Sequence, residues 1–101
     1  MIDMTRMTDL RAEIGADTLS SILDVFFSEA DATLAALPHT PPEERQRLLH
    51  FLRSGALNLG LRGVADAAED QACARPSDAD AAIGRALRLT RTALGRGAHA
   101  A

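Results

Sequence analysis

The apolar residues of this chain recur at intervals of three and four positions along most of its length. The longest such series consists of Leu19, Ile22, Leu23, Phe26, Ala30, Leu34 and Leu37. This spacing places side chains on one face of an α-helix. Phe27 broadens the apolar face, and Pro38 ends the helix because proline lacks a backbone donor and clashes with the preceding turn. The pattern predicts a long amphipathic helix that begins at Asp17 or Thr18.

A short helix is predicted ahead of the long one. Thr8 or Asp9 can cap its N-terminus, and Gly15 suits its C-terminal end because glycine tolerates the backbone conformation found there. Residues 1–7 contain three methionines without a clear helical periodicity. We therefore expect residues 1–7 to form a loose arm.

Three helices are predicted after the long one. The third begins at Pro42, because proline fits the first helical position, and it ends in a C-terminal turn at Gly60. The fourth covers residues 61–74. The fifth begins at residues 77–80, Ser-Asp-Ala-Asp, which resemble a capping box, and residues 96–101 then form a loose tail.

Four substantial helices joined by short loops predict an all-α fold, an antiparallel four-helix bundle with a short N-terminal helix. The chain has 101 residues, of which 47% are hydrophobic, and this suits one domain that spans residues 1–101. The aromatic residues are three phenylalanines, with no Trp or Tyr. Alanine and leucine carry the apolar content, which favours helices over strands.

Charge and cysteine content exclude several classes of function. The net charge is −3 and no run of basic residues is present, so a nucleic-acid partner is not expected. Cys73 is the only cysteine, which excludes an internal disulfide and a thiolate metal cluster and fits a reducing cytoplasm. No apolar run approaches the roughly 18 residues of a membrane span, and no secretory leader is recognisable. We expect a cytoplasmic protein without a membrane partner.

One histidine of the third helix lies opposite the apolar face of that helix. The apolar face consists of Leu48, Leu49, Leu52, Ala56 and Leu59. At about 100° per residue, His50 points roughly 160° away from Leu52, the centre of the face. Its neighbours on the outer face are Arg53, Ser54 and Leu57, with Arg47 one turn back. The pattern predicts an imidazole that a partner can reach. Gly55 lies near the edge of the apolar face and is expected to allow close helix packing.

The segment 50–60, His-Phe-Leu-Arg-Ser-Gly-Ala-Leu-Asn-Leu-Gly, resembles the signature of histidine-containing phosphotransfer (HPt) domains. That signature has a histidine, a leucine two positions later, then lysine and glycine, and another glycine ten positions after the histidine. The matching residues are Leu52, Asn58, Leu59 and Gly60. Arg53 stands where the family usually has lysine, and Ser54 stands where it usually has glycine. The chain length and the helix order are also similar to the family.

The resemblance implies a stoichiometric phosphocarrier and not an autonomous enzyme. His50 would accept a phosphoryl group from the aspartate of a response-regulator receiver domain and pass it to a second receiver, while Arg53 would stabilise the charge of that group. The implied docking residues are Ser54, Leu57, Phe51 and Arg47. Apart from the resemblance, Gln71 lies on the edge of the inner face of the predicted fourth helix, where it is either a boundary polar residue or a support for the imidazole of His50.

The resemblance also implies the partners of such a carrier. They are receiver domains, with a hybrid histidine kinase as a further candidate. No cofactor is expected on this chain, because the Mg²⁺ of the reaction belongs to the receiver. A monomer is the usual state in this family.

The residues themselves leave one alternative function open and argue against two others. The first is a helical adaptor that binds receivers or a kinase without carrying phosphate, which the departures at Arg53 and Ser54 allow. The second is a di-iron bundle, which requires Glu-x-x-His pairs that point inward. Here Arg47 stands where the glutamate would be, and His50 points outward. The third is a hydrolase, but this chain has no Ser/His/Asp or Cys/His set that converges on one helix face.

Overall fold

The computed structural model describes residues 2–69 and 75–95, which form five α-helices and one short 3₁₀ turn. The elements are α1 (Met4–Ile14), α2 (Ala16–Ala36), the 3₁₀ turn (Leu37–His39), α3 (Pro42–Asn58), α4 (Arg62–Glu69) and α5 (Pro76–Ala93). These residues contain no β-strand, and their one sheet-like pairing is an isolated bridge between Ile2 and Leu61. The predicted all-α helical bundle is confirmed.

All five helices contribute apolar side chains to one core. The buried side chains are Met7, Leu10, Leu19, Leu23, Phe27, Ala30, Leu37, Leu49, Leu52, Ala56, Leu59, Leu61, Val64, Ala65, Ala68, Ile83, Ala86 and Leu87. The apolar face predicted for α2 is wider than the face that is buried, since Ile22 is 40% exposed. Phe27 is more deeply buried than Phe26, because Phe27 faces α5 and Phe26 lies toward α3.

The loose arm expected over residues 1–7 is wrong for most of that segment. Helix α1 begins at Met4 because the Asp3 carboxylate caps its N-terminus, accepting a hydrogen bond from the Arg6 backbone N–H at 3.1 Å. Met7 is buried in the core. The Arg6 side chain donates through Nε to the Asn58 carbonyl at 2.9 Å, so contacts with the end of α3 hold this segment in place.

The chain reverses direction between α3 and α4 at Gly60, which has a φ of +75°. The Gly60 N–H donates to the Leu57 carbonyl, and the Leu61 N–H donates to the Ala56 carbonyl, at 3.1 and 2.8 Å. This pair of hydrogen bonds is the Schellman arrangement that ends many helices. The Gly60 carbonyl also accepts from the Asp3 N–H at 2.7 Å. The predicted C-terminal turn at Gly60 is confirmed, and α1 is attached to it.

Two arginines connect α5 to its neighbours. Arg45 of α3 pairs with Asp80 of α5 at 2.7 Å, and both side chains are only 14% exposed. Arg91 of α5 pairs with Asp31, donates to the Phe27 carbonyl at 3.1 Å and lies 4.9 Å above the Phe27 ring. Both partners of Arg91 belong to α2, so α5 is joined to α2 and α3 by charged contacts as well as by the core.

Some expectations fall outside the described residues. They concern the part of the fourth helix after Glu69, which would include Gln71 and Cys73, and the tail at residues 96–101. Among the helices that are described, none has both the length and the apolar character that crossing a membrane requires.

We predict that Gly60→Ala destabilises the fold more than Gly95→Ala does. Both glycines follow a helix with a similar φ, +75° and +78°, so each alanine meets the same kind of backbone strain. A Cβ at Gly60 would also lie 3.0 Å from the Asp3 carbonyl oxygen, whereas nothing lies within 4 Å at Gly95. Gly95→Ala should cost about 1 kcal/mol, and Gly60→Ala should cost at least about 1 kcal/mol more.

The free energy of unfolding is to be measured with urea, followed by circular dichroism at 222 nm. Equal losses in the two variants would show that contact with α1 contributes nothing at Gly60.

Candidate functional site

The outer face of α3 carries the candidate site. Pro42 is the first residue of the helix, as predicted, and Glu43 and Glu44 lie in its first turn, where carboxylates complement the helix dipole. The side chains that α3 buries are Leu49, Leu52 and Ala56, which belong to the predicted apolar face. Because these side chains point inward, His50 points into solvent and is exposed.

Two large apolar side chains on the same helix as His50 are not covered by the rest of the protein. Phe51 is 72% exposed and Leu57 is 42% exposed. Large apolar groups at such exposure contribute little to the fold, and a partner that covered them would gain their burial. Ser54 is half-buried beside them.

Helix α2 lies along one side of this face. A Cβ on Gly55 would be 3.2 Å from Cε1 of Phe26, which is tighter than an ordinary contact. The absence of a side chain at Gly55 therefore lets the Phe26 ring of α2 lie directly against α3. The close helix packing predicted for Gly55 is confirmed.

Helix α4 lies along the other side, where Arg53 contacts Glu69. The Arg53 Nε is 3.5 Å from a carboxylate oxygen of Glu69. This Nε is enclosed by protein atoms and has no hydrogen-bond partner among the residues described. The Arg53 side chain as a whole is 36% exposed, and that of Glu69 is 61% exposed. Arg53 is thus a partly exposed cation one helical turn from His50, restrained on its α4 side.

The two cations of the predicted site differ in their surroundings. Arg47 is 70% exposed and pairs with Glu44 of the same helix, an arrangement that contributes little to stability. Arg53 pairs with a residue of another helix. Glu69 was not predicted as a partner of Arg53, because it lies sixteen positions later in the sequence. Only the reversal at Gly60 brings the two side chains together.

The arrangement places a nucleophilic side chain at the surface of the protein. An exposed imidazole is a nucleophile that a partner can reach, and the described part of the chain has no group of three or more His, Cys, Asp or Glu side chains placed to hold a metal ion. A groove of 380 Å³ between α1, α2 and the end of α5 includes no residue of α3 in its lining. His50 does not line that groove.

No protein-family model, curated protein or solved structure matches this chain. The resemblance of segment 50–60 to the HPt signature therefore remains a prediction from the sequence. The fold brings together His50, Arg53, Ser54, Leu57, Phe51 and Arg47 on the outer part of α3. Gln71 lies outside the described residues.

We predict that Phe51→Ala leaves stability nearly unchanged, whereas Phe27→Ala lowers it strongly. Phe51 is 72% exposed and Phe27 is 3% exposed. Removing the Phe27 ring opens a cavity and should cost about 3–5 kcal/mol, while Phe51→Ala should stay within about 0.5 kcal/mol. Urea unfolding of both variants tests this, and a loss above about 1 kcal/mol in Phe51→Ala would mean that Phe51 belongs to the core.

Proposed function

We propose that this protein is a histidine phosphotransfer protein that carries a phosphoryl group on His50 between the aspartates of response-regulator receiver domains. The observation that supports this most directly is the exposed His50 on a helix whose opposite face is buried. The cation Arg53 lies one turn away, and two exposed apolar side chains, Phe51 and Leu57, belong to the same helix. The resemblance of segment 50–60 to the HPt signature supports the same function.

The first transfer forms one bond and breaks one bond. A neutral imidazole nitrogen of His50 donates its lone pair to phosphorus, and the bond between phosphorus and the aspartyl oxygen breaks. The electron pair of that bond leaves with the aspartate, which becomes a carboxylate. The proton on the second ring nitrogen can exchange with solvent, because the ring is exposed. Nothing is oxidised or reduced.

The second transfer reverses these changes on another receiver. A carboxylate oxygen of its aspartate attacks the phosphorus, and the nitrogen–phosphorus bond breaks with its electron pair returning to the imidazole. His50 is regenerated, so the chain is a carrier and not an autonomous catalyst. The Mg²⁺ of both steps would be bound by the receiver.

Arg53 would assist both transfers by electrostatic stabilisation. Negative charge on the transferred phosphoryl oxygens attracts a cation positioned beside the reacting nitrogen, and such hydrogen bonds to charged groups are stronger than neutral ones. A guanidinium also matches the geometry of two phosphoryl oxygens. The partly exposed position of Arg53 leaves it accessible to a group arriving from outside.

The apolar side chains would form the docking surface for the partner. Burying Phe51 and Leu57 removes apolar surface from water, which favours association. Ser54 and Arg47 contribute polar contacts at the edge of the same surface. The partners are receiver domains, and a hybrid histidine kinase is a further candidate. The protein would act in the cytoplasm as a monomer.

A second candidate function is that of an adaptor which binds receivers without being phosphorylated. The pairing of Arg53 with Glu69 favours it, because a cation engaged by a carboxylate has less charge to offer a phosphoryl group. Ser54 also places a hydroxymethyl group where the family usually has none. The adaptor would use the same docking surface and leave His50 unmodified.

We predict that phosphorylated receiver domains label this protein and that His50→Gln abolishes the label. The phosphate should be acid-labile and stable in base, as expected for phosphohistidine. His39→Gln is the matched control, because His39 is also exposed but lies in the 3₁₀ turn. If a panel of receivers from the same cell labels neither the wild type nor His39→Gln but does bind both, the adaptor function replaces the carrier function.

We predict that Arg53→Ala slows phosphoryl transfer by about tenfold without unfolding the bundle, because it removes a cation from the developing charge. The rate constant is to be measured by rapid quench with an excess of phosphorylated receiver. Arg88→Ala, on the exposed side of α5, removes the same charge at a distance and should change the rate less than about twofold. Equal rates in Arg53→Ala and the wild type would exclude Arg53 from the reaction.

A further inference from the structure

We infer that Glu69 is a positioning residue for Arg53, and that Arg53 can face Glu69 and the phosphoryl group with different nitrogens, whereas lysine has only one. This inference rests on the proposed function, because it concerns how the cation beside His50 is prepared for transfer. It assigns a role to a residue of α4 that lies outside the segment resembling the HPt signature.

The contact engages only one part of the guanidinium. The Arg53 Nε is the atom that lies 3.5 Å from the Glu69 carboxylate, and the protein encloses this nitrogen. Neither terminal nitrogen of Arg53 has a hydrogen-bond partner among the described residues. A guanidinium has one N–H on Nε and four on its terminal nitrogens, all in one plane. The Nε can therefore face Glu69 while the terminal N–H groups remain available for phosphoryl oxygens.

Lysine at this position would have to face both groups with its one nitrogen. Its ammonium is a single point charge at the end of a flexible stem, and a carboxylate that attracts it engages the same nitrogen that a phosphoryl group requires. Glu69 would then compete with the phosphoryl group. The departure from the HPt signature at position 53 and the carboxylate on α4 are thus two parts of one arrangement.

Glu69 also carries a negative charge near the site proposed for the phosphoryl group, and this charge repels that group. Its side chain is 61% exposed, and solvent and salt screen its charge strongly. Restraining the long Arg53 side chain has the opposite effect, because a cation that is already oriented loses less rotational freedom in the transition state. We expect this orientation to outweigh the screened repulsion, and Glu69 therefore to accelerate transfer.

The test compares four proteins: the wild type, Glu69→Gln, Arg53→Lys and the double variant. Single-turnover transfer from a phosphorylated receiver is measured over a range of receiver concentrations, and this separates the saturating rate constant from the half-saturating concentration. In the wild-type background, Glu69→Gln should lower the saturating rate constant at least about threefold and change the half-saturating concentration less than about twofold. In the Arg53→Lys background, Glu69→Gln should leave the rate constant unchanged or raise it.

Two controls separate positioning from general effects. Asp66→Asn neutralises another exposed carboxylate of α4 and should transfer at the wild-type rate. Glu69→Asp retains the charge and should keep a rate nearer to the wild type than Glu69→Gln does. Equal slowing by Glu69→Gln in the Arg53 and Arg53→Lys backgrounds would overturn the inference, as would an unchanged rate in the Arg53 background.

A second measurement does not depend on phosphoryl transfer. In ¹⁵N-resolved NMR spectra, the Nε–H proton of Arg53 should exchange with water more slowly in the wild type than in Glu69→Gln. Slower exchange in the wild type than in Glu69→Gln, together with no labelling by any receiver, would mean that the proposed function fails while the pair itself is real. Labelling of the wild type, with exchange and transfer rates both unaffected by Glu69→Gln, would overturn the role of Glu69 alone.

Discussion

The reversal of the chain at Gly60 is the constraint on which the other features of this structure depend. A positive φ at this position lets α4 begin at Arg62 and fold back along α3. The same turn exposes a carbonyl that accepts from the Asp3 N–H, and the end of α3 accepts from the Arg6 side chain. One tight turn therefore orders the start of the chain, sets the α3–α4 hairpin and places Glu69 within reach of Arg53.

Burial of one face of α3 explains the character of the opposite face. Leu49, Leu52 and Ala56 are held by the core, so rotation of the helix about its axis would expose them and bury His50. Gly55 strengthens this constraint, because the Phe26 ring lies where a side chain would be. The apolar residues of α3 thus keep the imidazole in solvent without contacting it.

Two charged contacts between helices differ in how far their side chains are removed from water. The pair between Arg45 and Asp80 is largely removed from water, so breaking it would leave a buried charge. The contact between Arg53 and Glu69 joins two partly exposed side chains without a hydrogen bond at Nε, and its contribution to folding is small. A weak contact of this kind suits a functional cation, since a phosphoryl group can then compete for it.

The sequence by itself determined the all-α fold, the start of α3 at Pro42, its end at Gly60 and the outward direction of His50, because helical periodicity and terminal residues are local properties. Only the tertiary structure decided that the chain is ordered from its first residues, since the Asp3 N–H and the Arg6 side chain bond to carbonyls at the end of α3 and at Gly60. It also decided that Phe27 is buried more deeply than Phe26, because neighbouring helices select which part of a wide apolar face they cover. The contact of Arg53 with Glu69 was likewise decided by tertiary structure, since two residues on different helices meet only after the chain has reversed.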